Sequence, residues 1–471
     1  MRKTKIVCTL GPATDNKNTL KRLIKAGMNV ARINMSHGNY QEHKMRIDAV
    51  KELRTELGMP IAIMLDSKGP EVRVKKFKGG KVELLDGAAF TLVAEDIEGN
   101  ASRAAITYPA LYKCVKVGDH ILINDGFIDV IVERIDGTSI VTTVVHGGEL
   151  SNNKSINLPN THIDMPYMSE VDKHDFLFGV QEDVDYVALS FVRCKADMQI
   201  VRDLLDSAGG SAIRTIAKIE NQQGVDNLNE ILDIADGAMV ARGDMGVEIA
   251  FDKLPSIQKK MIFNCYLRGK TVITATQMLE SMIVSPRPTR AETSDVANAI
   301  YDSTSATMLS GETAVGRFNV KTVETMSQIA LSAESNIDYK KRFRVLEPEM
   351  QNITDAVSYS AVNASYNLKA KAIVVVTQSG NSARRISRFR PSCPIISVTV
   401  SPKAYQQLAM NWGVYPIIAE EKSDWDELYA AAIVKAKQTG IVKSGDLVVF
   451  AAGVPVGIAG STNTLRIENI K

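Results

Sequence analysis

Lys218 and Glu220 stand two residues apart at the end of an apolar run, Thr215–Asn221 (TIAKIEN). On a strand, residues two apart project to the same side, so one ammonium and one carboxylate face a common point. A second apolar stretch, beginning at Gly237, ends in Ala241-Arg242-Gly243-Asp244. Read as a glycine-flanked turn, it presents Asp244 where backbone can approach a ligand closely. Two carboxylates from neighbouring strand ends make a hard-oxygen site of the kind Mg²⁺ uses when substrate supplies most of its other ligands. The competing reading is a structural ion pair between Lys218 and Glu220 on an edge strand.

Holding these groups together requires strand ends, and the chain supplies them in a repeating unit: a short apolar run with a polar end, then an amphipathic stretch of helical length. The runs are 5–10, 29–34, 61–66, 186–191, 215–220, 238–242, 271–275 and 306–309, with helical stretches such as 16–26, 40–57, 252–268 and 320–335 between them. Eight alternating units predict an α/β fold closed as a (β/α)₈ TIM barrel, whose site lies at the carboxyl ends of the strands. Polar residues gather at those ends: Arg32, Asn34, Ser36, Asp66, Lys218, Glu220, Asp244 and Thr276. An open doubly wound sheet is the structural alternative.

One interval breaks the rhythm. Residues 70–164 have little helical period, and 121–145 alternate like a meander with an Asp136-Gly137 turn signal, which predicts an inserted small β-barrel lid domain. Such a lobe hangs over the barrel mouth and can exclude water. After Arg344–Pro348 the chain returns to helix–strand alternation. The expected division is a barrel of 1–69 and 165–345, a lid of 70–164 and a C-terminal open α/β regulatory domain of 346–471. In the last, the loop 377–382 runs between a strand and a helix, and its Thr377, Ser379, Gly380 and Ser382 suit either a phosphate or a plain helix cap.

Composition narrows the class. The chain has 471 residues, 45% apolar and 23% charged, with a formal net charge of +2. No basic block is interleaved with aromatics, which argues against nucleic acid. The longest nearly apolar run, 447–460, is broken by Pro455 and glycines, which argues against a membrane span. The amino terminus offers only Ile6–Leu10 as a hydrophobic segment, so no signal peptide is expected. The five cysteines, Cys8, Cys114, Cys194, Cys265 and Cys393, never form a Cys-x-x-Cys pair, and together these features predict a cytoplasmic protein. All six histidines lie at or before His174, so no chemistry rests on a histidine of the C-terminal half.

The stretches Asn29–Gly38 (NVARINMSHG), Leu65–Arg73 (LDSKGPEVR), Ile219–Asn221, Ala241–Gly246 (ARGDMG), Ala275–Glu280 (ATQMLE), Pro286–Glu292 (PRPTRAE) and Leu309–Thr313 (LSGET) closely resemble, in this order, those of the pyruvate kinases. The resemblance runs from Lys3 through the last strand. It implies transfer of the phosphoryl group of phosphoenolpyruvate to ADP, giving pyruvate and ATP, the last step of glycolysis. It also implies a homotetramer regulated by a phosphorylated effector. Residue by residue, it assigns Glu220 and Asp244 to a divalent cation, Mg²⁺ or Mn²⁺, and Lys218 to the phosphoryl group in flight and the enolate left behind. Arg32 resembles the phosphate clamp and Arg73 a second cation near the same group, while Gly243 and Thr276 match substrate positions, Thr276 on the enolate face. Asn34, Ser36, Asp66 and Ser67 match a K⁺ site. Pro12, His37, Arg73, Asp125 and Lys154 fall to the nucleotide side.

Plainer roles compete at single positions. Asp125, in an Asn-Asp-Gly turn, can be turn chemistry alone, and His37 can cap the following helix. Met245 and Met278 read as core filler. Arg384, Arg385, Arg388 and Arg390 form a basic cluster that suits a solvated or interface face as well as an effector site. A Mg²⁺-dependent carbon–carbon lyase also uses a Glu and Asp pair, but has no use for Lys218 or the K⁺ set. A metabolite sensor that lost turnover would have lost one of Lys218, Glu220, Asp244 or Thr276. Gln378 and Val454, in the loops 377–382 and 452–457, lean toward AMP or a sugar monophosphate as effector rather than fructose 1,6-bisphosphate.

Overall fold

The computed structural model describes residues 1–159, 161, 163–345, 350, 352–422, 424–455 and 462–471. Eight parallel strands close a barrel: β1 (Lys5–Thr9), β2 (Val30–Asn34), β3 (Ala62–Asp66), β4 (Tyr186–Leu189), β5 (Arg214–Ile219), β6 (Gly237–Ala241), β7 (Thr271–Ala275) and β8 (Ala306–Leu309). Their order around the barrel is β1-β2-β3-β4-β5-β6-β7-β8, with β8 pairing back onto β1. The eight runs of the sequence reading are these strands, with ends moved by a residue or two. Side chains alternate between two cores, as a closed sheet requires. Val7, Val30, Met64, Tyr186, Met239 and Ile273 fill the inside, and Ala409 and Met410 from the C-terminal part plug the N-terminal end of the barrel, here called its floor. Ile6, Cys8, Ile33, Ile63, Leu65, Ala217 and Val240 face outward into the ring of helices.

Local signals set the helix ends. Asn39 caps Tyr40–Leu57 by accepting from the Glu42 amide at 3.0 Å, and Gly58 closes it at φ +60°. Thr289 and Glu292 form a reciprocal capping box at the start of Arg290–Tyr301. Gly11 is needed for space rather than for φ: a Cβ there would lie 2.7 Å from the Ala314 carbonyl, where the turn after β1 packs on the short helix after β8.

Between β3 and β4 the chain builds a seven-stranded sheet, whose longest members, Ile128–Asp136 and Ser139–His146, pair as an antiparallel hairpin turning at Gly137, φ +61°. Val72, Phe90, Ile121, Ile140 and Ile156 give this lobe its own core. The C-terminal sheet comprises β9 (Ala372–Val376), β10 (Ile395–Thr399), β11 (Val414–Ile418), β12 (Leu447–Gly453) and β13 (Thr462–Asn469), in the order β11-β10-β9-β12-β13. All its pairs are parallel except β12 with β13. The boundary expected at residue 346, and residues 456–457 of the effector-side loop, lie outside the described residues. No helix among the described residues is long and apolar enough to cross a membrane.

A helix, Pro402–Gln407, is followed by a 3-10 turn, Leu408–Met410, which steers Ala409 and Met410 into the barrel floor. One local expectation changes. Asp244 sits not in an open turn but in the first turn of a helix, Arg242–Glu248, because Met245 is buried in the core and the Ile249 amide closes the turn on the Met245 carbonyl at 2.9 Å.

Candidate active site

The ends of β2, β3, β4 and β5 bring buried charges together. Lys218 lies 3.1 Å from Asp66 and 3.0 Å from Glu220. Its ammonium donates to Ser190 Oγ at 2.6 Å, and that hydroxyl donates to the Ser67 carbonyl at 2.7 Å. Arg32 meets the other side of Asp66, Nε to Oδ2 at 2.5 Å, and donates from Nη1 to Thr9 Oγ1 at 2.9 Å. Asp66 and Glu220 are wholly buried. Burial alone would push Asp66 up, but Arg32 and Lys218 outweigh it and hold the carboxyl below its ordinary value. For Lys218 burial works downward, and Asp66 and Glu220 together reverse it, so the ammonium is held well above the usual lysine value.

Glu220 is the exception. Burial, which Lys218 only partly offsets and Asp244 reinforces, pushes it up to about 8. Its Oε2 accepts the Phe191 amide at 2.6 Å, but no hydrogen bond reaches Oε1, which has only the neighbouring ammonium in ion-pair range. A buried carboxylate oxygen without a donor is a seat for a cation. Among the described residues no cluster of three or more His, Cys, Asp or Glu could hold a metal alone. Glu220 and Asp244 are the two carboxylates that could hold a hard divalent ion, with the rest of its oxygens from substrate.

Opposite this group, Thr276 Oγ1 accepts the Gly243 amide at 2.8 Å and donates to its own neighbour, the Ala275 carbonyl, at 2.6 Å. Thr276 and Gln277 have φ of +67° and +52°, and Phe191 has +55°. Non-glycine residues in that region cost about 1–3 kcal/mol each and persist where the surroundings over-determine them. Arg242 does this for Thr276: it donates to the Thr276 carbonyl from Nη2 at 2.5 Å and from Nε at 3.2 Å, and is anchored by Asp295 at 2.6 Å.

The other predicted residues fall in four places. Asn34 and Asp66 are paired across β2 and β3, and Asn34 Oδ1 accepts the Ser36 amide at 3.2 Å, so Asn34, Ser36, Asp66 and Ser67 share one edge of the mouth. Arg73, on the lid, pairs with Glu71 at 2.6 Å and donates to the Asn153 carbonyl at 2.6 Å. Burial pushes Glu71 up, Arg73 opposes this, and the charges of Asp244 and Asp125 add to it. On the lid, Asp125 (φ +57°) accepts from Ser155 Oγ at 3.0 Å, next to Lys154. Pro12 and His37 are exposed at the ends of β1 and β2, and the His37 amide donates to the Asn34 carbonyl at 3.4 Å.

Far from the mouth, Thr377 Oγ1 accepts the Gly380 amide at 3.0 Å, and Gly380 has φ +80°. Ser382 Oγ is bonded to Thr462 Oγ1. Only Ser379 of that set is exposed, and its carbonyl accepts from Arg384 Nη2 at 2.6 Å.

The sequence reading did not assign Ser190, Phe191, Arg242, Glu248 or Asp295. Glu248 accepts Asn157 Nδ2 at 2.9 Å and the Leu158 amide at 3.3 Å, tying the helix that carries Asp244 to the returning arm of the lid. The only hint was that Arg242 belongs to the same motif as Asp244.

A family model described as "Pyruvate kinase, barrel domain" matches residues 1–323, and one described as "Pyruvate kinase, alpha/beta domain" matches residues 355–468. The chain belongs to the pyruvate kinase family. A protein named pyruvate kinase from Clostridium acetobutylicum is 47% identical over 473 aligned residues, covering 100% of both chains. One from Geobacillus stearothermophilus is 46% identical over 472, covering 100% of this chain and 80% of that relative. One from Sporosarcina psychrophila is 47% identical over 473, covering 100% and 81%. Membership makes the chain a phosphotransferase on a TIM barrel, and the charge network sits at the strand ends where such barrels carry their chemistry.

Proposed function

We propose that this enzyme transfers the phosphoryl group of phosphoenolpyruvate to ADP, and that the Arg32–Asp66–Lys218–Glu220 network is where it does so. The observation that carries the reading is the Lys218 ammonium, buried and fixed by Asp66, Glu220 and Ser190 beside a carboxylate oxygen that lacks a donor. A group preorganised in this way can meet charge as it develops without paying for reorganisation.

Glu220 and Asp244 would hold Mg²⁺ or Mn²⁺, which when bound supplies Lewis-acid charge to the substrate oxygens. Lys218 stabilises the phosphoryl oxygens in flight and then the enolate oxygen. Arg32 Nε and Nη1 are committed to Asp66 and Thr9, which leaves Nη2 for a phosphoryl oxygen. Arg73, held by Glu71, brings a second cation from the lid. Thr276, fixed by Gly243 and Arg242, stands where a proton must reach the enolate carbon. Asn34, Ser36, Asp66 and Ser67 offer oxygens to K⁺. Asp125 and Lys154, with Pro12 and His37, face the nucleotide. The assembled form is a cytoplasmic homotetramer, and the loop Thr377–Ser382 takes the phosphate of an effector, for which AMP or a sugar monophosphate fits better than a bisphosphate.

The test is a coupled assay for pyruvate from phosphoenolpyruvate and ADP, with and without Mg²⁺. Metal-dependent production of pyruvate and ATP is expected. Pyruvate formed by cleavage of a carbon–carbon bond, or binding without turnover, would overturn the reading.

A further inference from the structure

The lid meets the barrel at the helix that carries Asp244. Asp244 lies in the first turn of Arg242–Glu248, and Glu248, four residues on, ends it, so the two carboxylates share one face of the helix. Glu248 Oε1 accepts Asn157 Nδ2 at 2.9 Å and the Leu158 amide at 3.3 Å. Asn157 is buried and closes the lid strand Ser155–Asn157. That strand gathers the polar residues of the lid: Ser155 pairs with Arg73 across the ladder, its hydroxyl donates to Asp125 Oδ1 at 3.0 Å, and Lys154 precedes it. A second contact lies beside the first, since a Cβ at Gly126, next to Asp125, would stand 3.6 Å from Val247 Cγ1. The last turn of the helix thus touches the lid twice, and its first turn holds a carboxylate of the mouth. A helix this short spans about 10 Å, so a displacement at Glu248 carries Asp244 with it.

We propose that Glu248 is a positioning residue for the phosphoryl transfer: through Asn157 and Leu158 it joins the lid strand to the helix of Asp244, so that where the lid stands sets where that carboxylate stands. This rests on the reading given above, in which Asp244 holds a cation and the lid faces the nucleotide. Glu220 is fixed from within the barrel by the Phe191 amide, whereas Asp244 is tied to the lid. A lid drawn down by nucleotide therefore holds Asp244 in place for the cation, and a bound cation favours the lid position that Glu248 grips, because two ligands that select one arrangement strengthen each other. Glu248 needs no contact with substrate for this. The acceptor matters rather than the charge, since an amide oxygen in the place of Oε1 can take the same two donors.

The experiment reads a lid substitution at the metal. Mn²⁺ is titrated into the full chain without nucleotide, and the free ion is followed by its electron paramagnetic resonance signal. Asn157→Ala, on the lid strand, should weaken Mn²⁺ binding by about fivefold or more, the lower end of ordinary couplings between sites. Glu248→Ala should do the same, and the double variant should bind no more weakly than either, because both remove one link. Glu248→Gln should restore most of the affinity. In steady-state kinetics, Glu248→Ala should raise half-saturation by ADP more than half-saturation by phosphoenolpyruvate. Mn²⁺ affinity untouched by Asn157→Ala overturns the proposal, as does an additive loss in the double variant. Should Asn157→Ala fail to fold, Asn157→Asp, which keeps the shape and sets a second acid against Glu248, takes its place with the same expected and overturning results. Failure of the underlying reading shows separately, as a parent that forms no pyruvate from phosphoenolpyruvate and ADP.

Discussion

At the mouth of the barrel every buried cation faces an acid: Lys218 lies between Asp66 and Glu220, and Arg32 against Asp66. At the floor, buried Lys5 and Arg390 and half-buried Lys270 and Arg384 have no carboxylate in ion-pair range among the described residues. One sheet therefore ends in two different arrangements of charge. At the mouth, Asp66, Glu220 and Asp244 outnumber Arg32 and Lys218. At the floor the carboxylates are engaged elsewhere, Glu334 by the Lys3 and Thr4 amides, Asp185 by Arg54 and Lys403, and Asp236 by Arg214. A site for highly anionic substrates gains from the first arrangement, because a cation that arrives with the substrate completes the balance only when the substrate is bound. The floor cations lie instead in the seam between the barrel and the C-terminal unit.

The comparison breaks most severely at Lys218. Lys218→Met leaves Asp66 and Glu220 without their shared cation, and turnover should fall by at least about a hundredfold, the scale of losing one preorganised donor. Half-saturation by phosphoenolpyruvate should move much less. Steady-state kinetics giving near-parental turnover would remove Lys218 from the mechanism and make the mouth network merely structural.

The monovalent ion is the next lever. With Mg²⁺ saturating, replacing K⁺ by tetramethylammonium should abolish most of the turnover, because the oxygens of Asn34, Ser36, Asp66 and Ser67 then lose the charge that offsets the phosphate. Glu71→Lys places an ammonium near the same charge and releases Arg73 from its carboxylate partner, so part of the activity without K⁺ should return. Full parental activity in tetramethylammonium would show that the four residues are no working K⁺ site.

Arg242 tests whether strain at the mouth is held from outside. Arg242→Gln removes the forked donor to the Thr276 carbonyl, and turnover should fall about tenfold or more, the usual effect of losing a residue that orients a reacting group. Exchange of the pyruvate methyl protons with solvent should slow by a similar factor. Arg242→Lys, which cannot reach both the carbonyl and Asp295, should not rescue it. A Gln variant with parental proton exchange would mean that the turn holds itself.

These tests separate what the sequence made legible from what it did not. The barrel strands could be read because short apolar runs alternate with stretches of helical length, and Lys218 and Glu220 because a two-residue spacing has only one meaning on a strand. Asp66 was read among the polar strand ends and, through the resemblance, as a K⁺ ligand, but nothing local to residues 61–66 says that Arg32 and Lys218 will close on it. Ser190, Phe191 and the Arg242–Asp295 pair were invisible for another reason. Phe191 and Thr276 matter through positive φ, which an ordinary side-chain pattern does not encode, and Arg242 acts on a carbonyl more than thirty residues away. The floor cations were seen as an arginine cluster, yet their lack of acids emerged only when Lys270, from a different part of the chain, came to face them.

A smaller effect is expected in the C-terminal loop. Ser379 is the exposed hydroxyl of the set, so Ser379→Glu should repel a phosphate there and cancel an effector's influence on phosphoenolpyruvate half-saturation. The maximal rate should be intact. The coupling lost should be of the ordinary allosteric size, about 1–3 kcal/mol. If no phosphorylated metabolite shifts half-saturation in the parent, the hydrogen bonds of Thr377 and Ser382 make the loop a helix entry and nothing more.

An effect on stability alone, and a direct measure of the floor, belongs to Lys5. Its ammonium donates to the Val414 carbonyl at 2.7 Å and lies 4.9 Å from the Tyr415 ring centre, bridging β1 to the edge strand of the C-terminal sheet. Burial first, then the nearby Arg2, push it down to about 7 against the opposing pull of Glu334. Between that value and the ordinary lysine value of 10.5, the unfolded chain binds a proton that the folded chain has already released. Stability must then rise with pH across the window, by at most about 1.4 kcal/mol per pH unit. Below about pH 7 both states carry the proton, and the cost of burying the charge is constant. Lys5→Met removes this contribution while keeping an apolar stem in place. The unfolding midpoint of the parent minus that of Lys5→Met, followed from pH 6.5 to 9.5, should therefore increase with pH. Parallel curves would mean that the Val414 carbonyl and the Tyr415 ring suffice to keep the buried ammonium charged, and that the floor carries its positive charge throughout the physiological range.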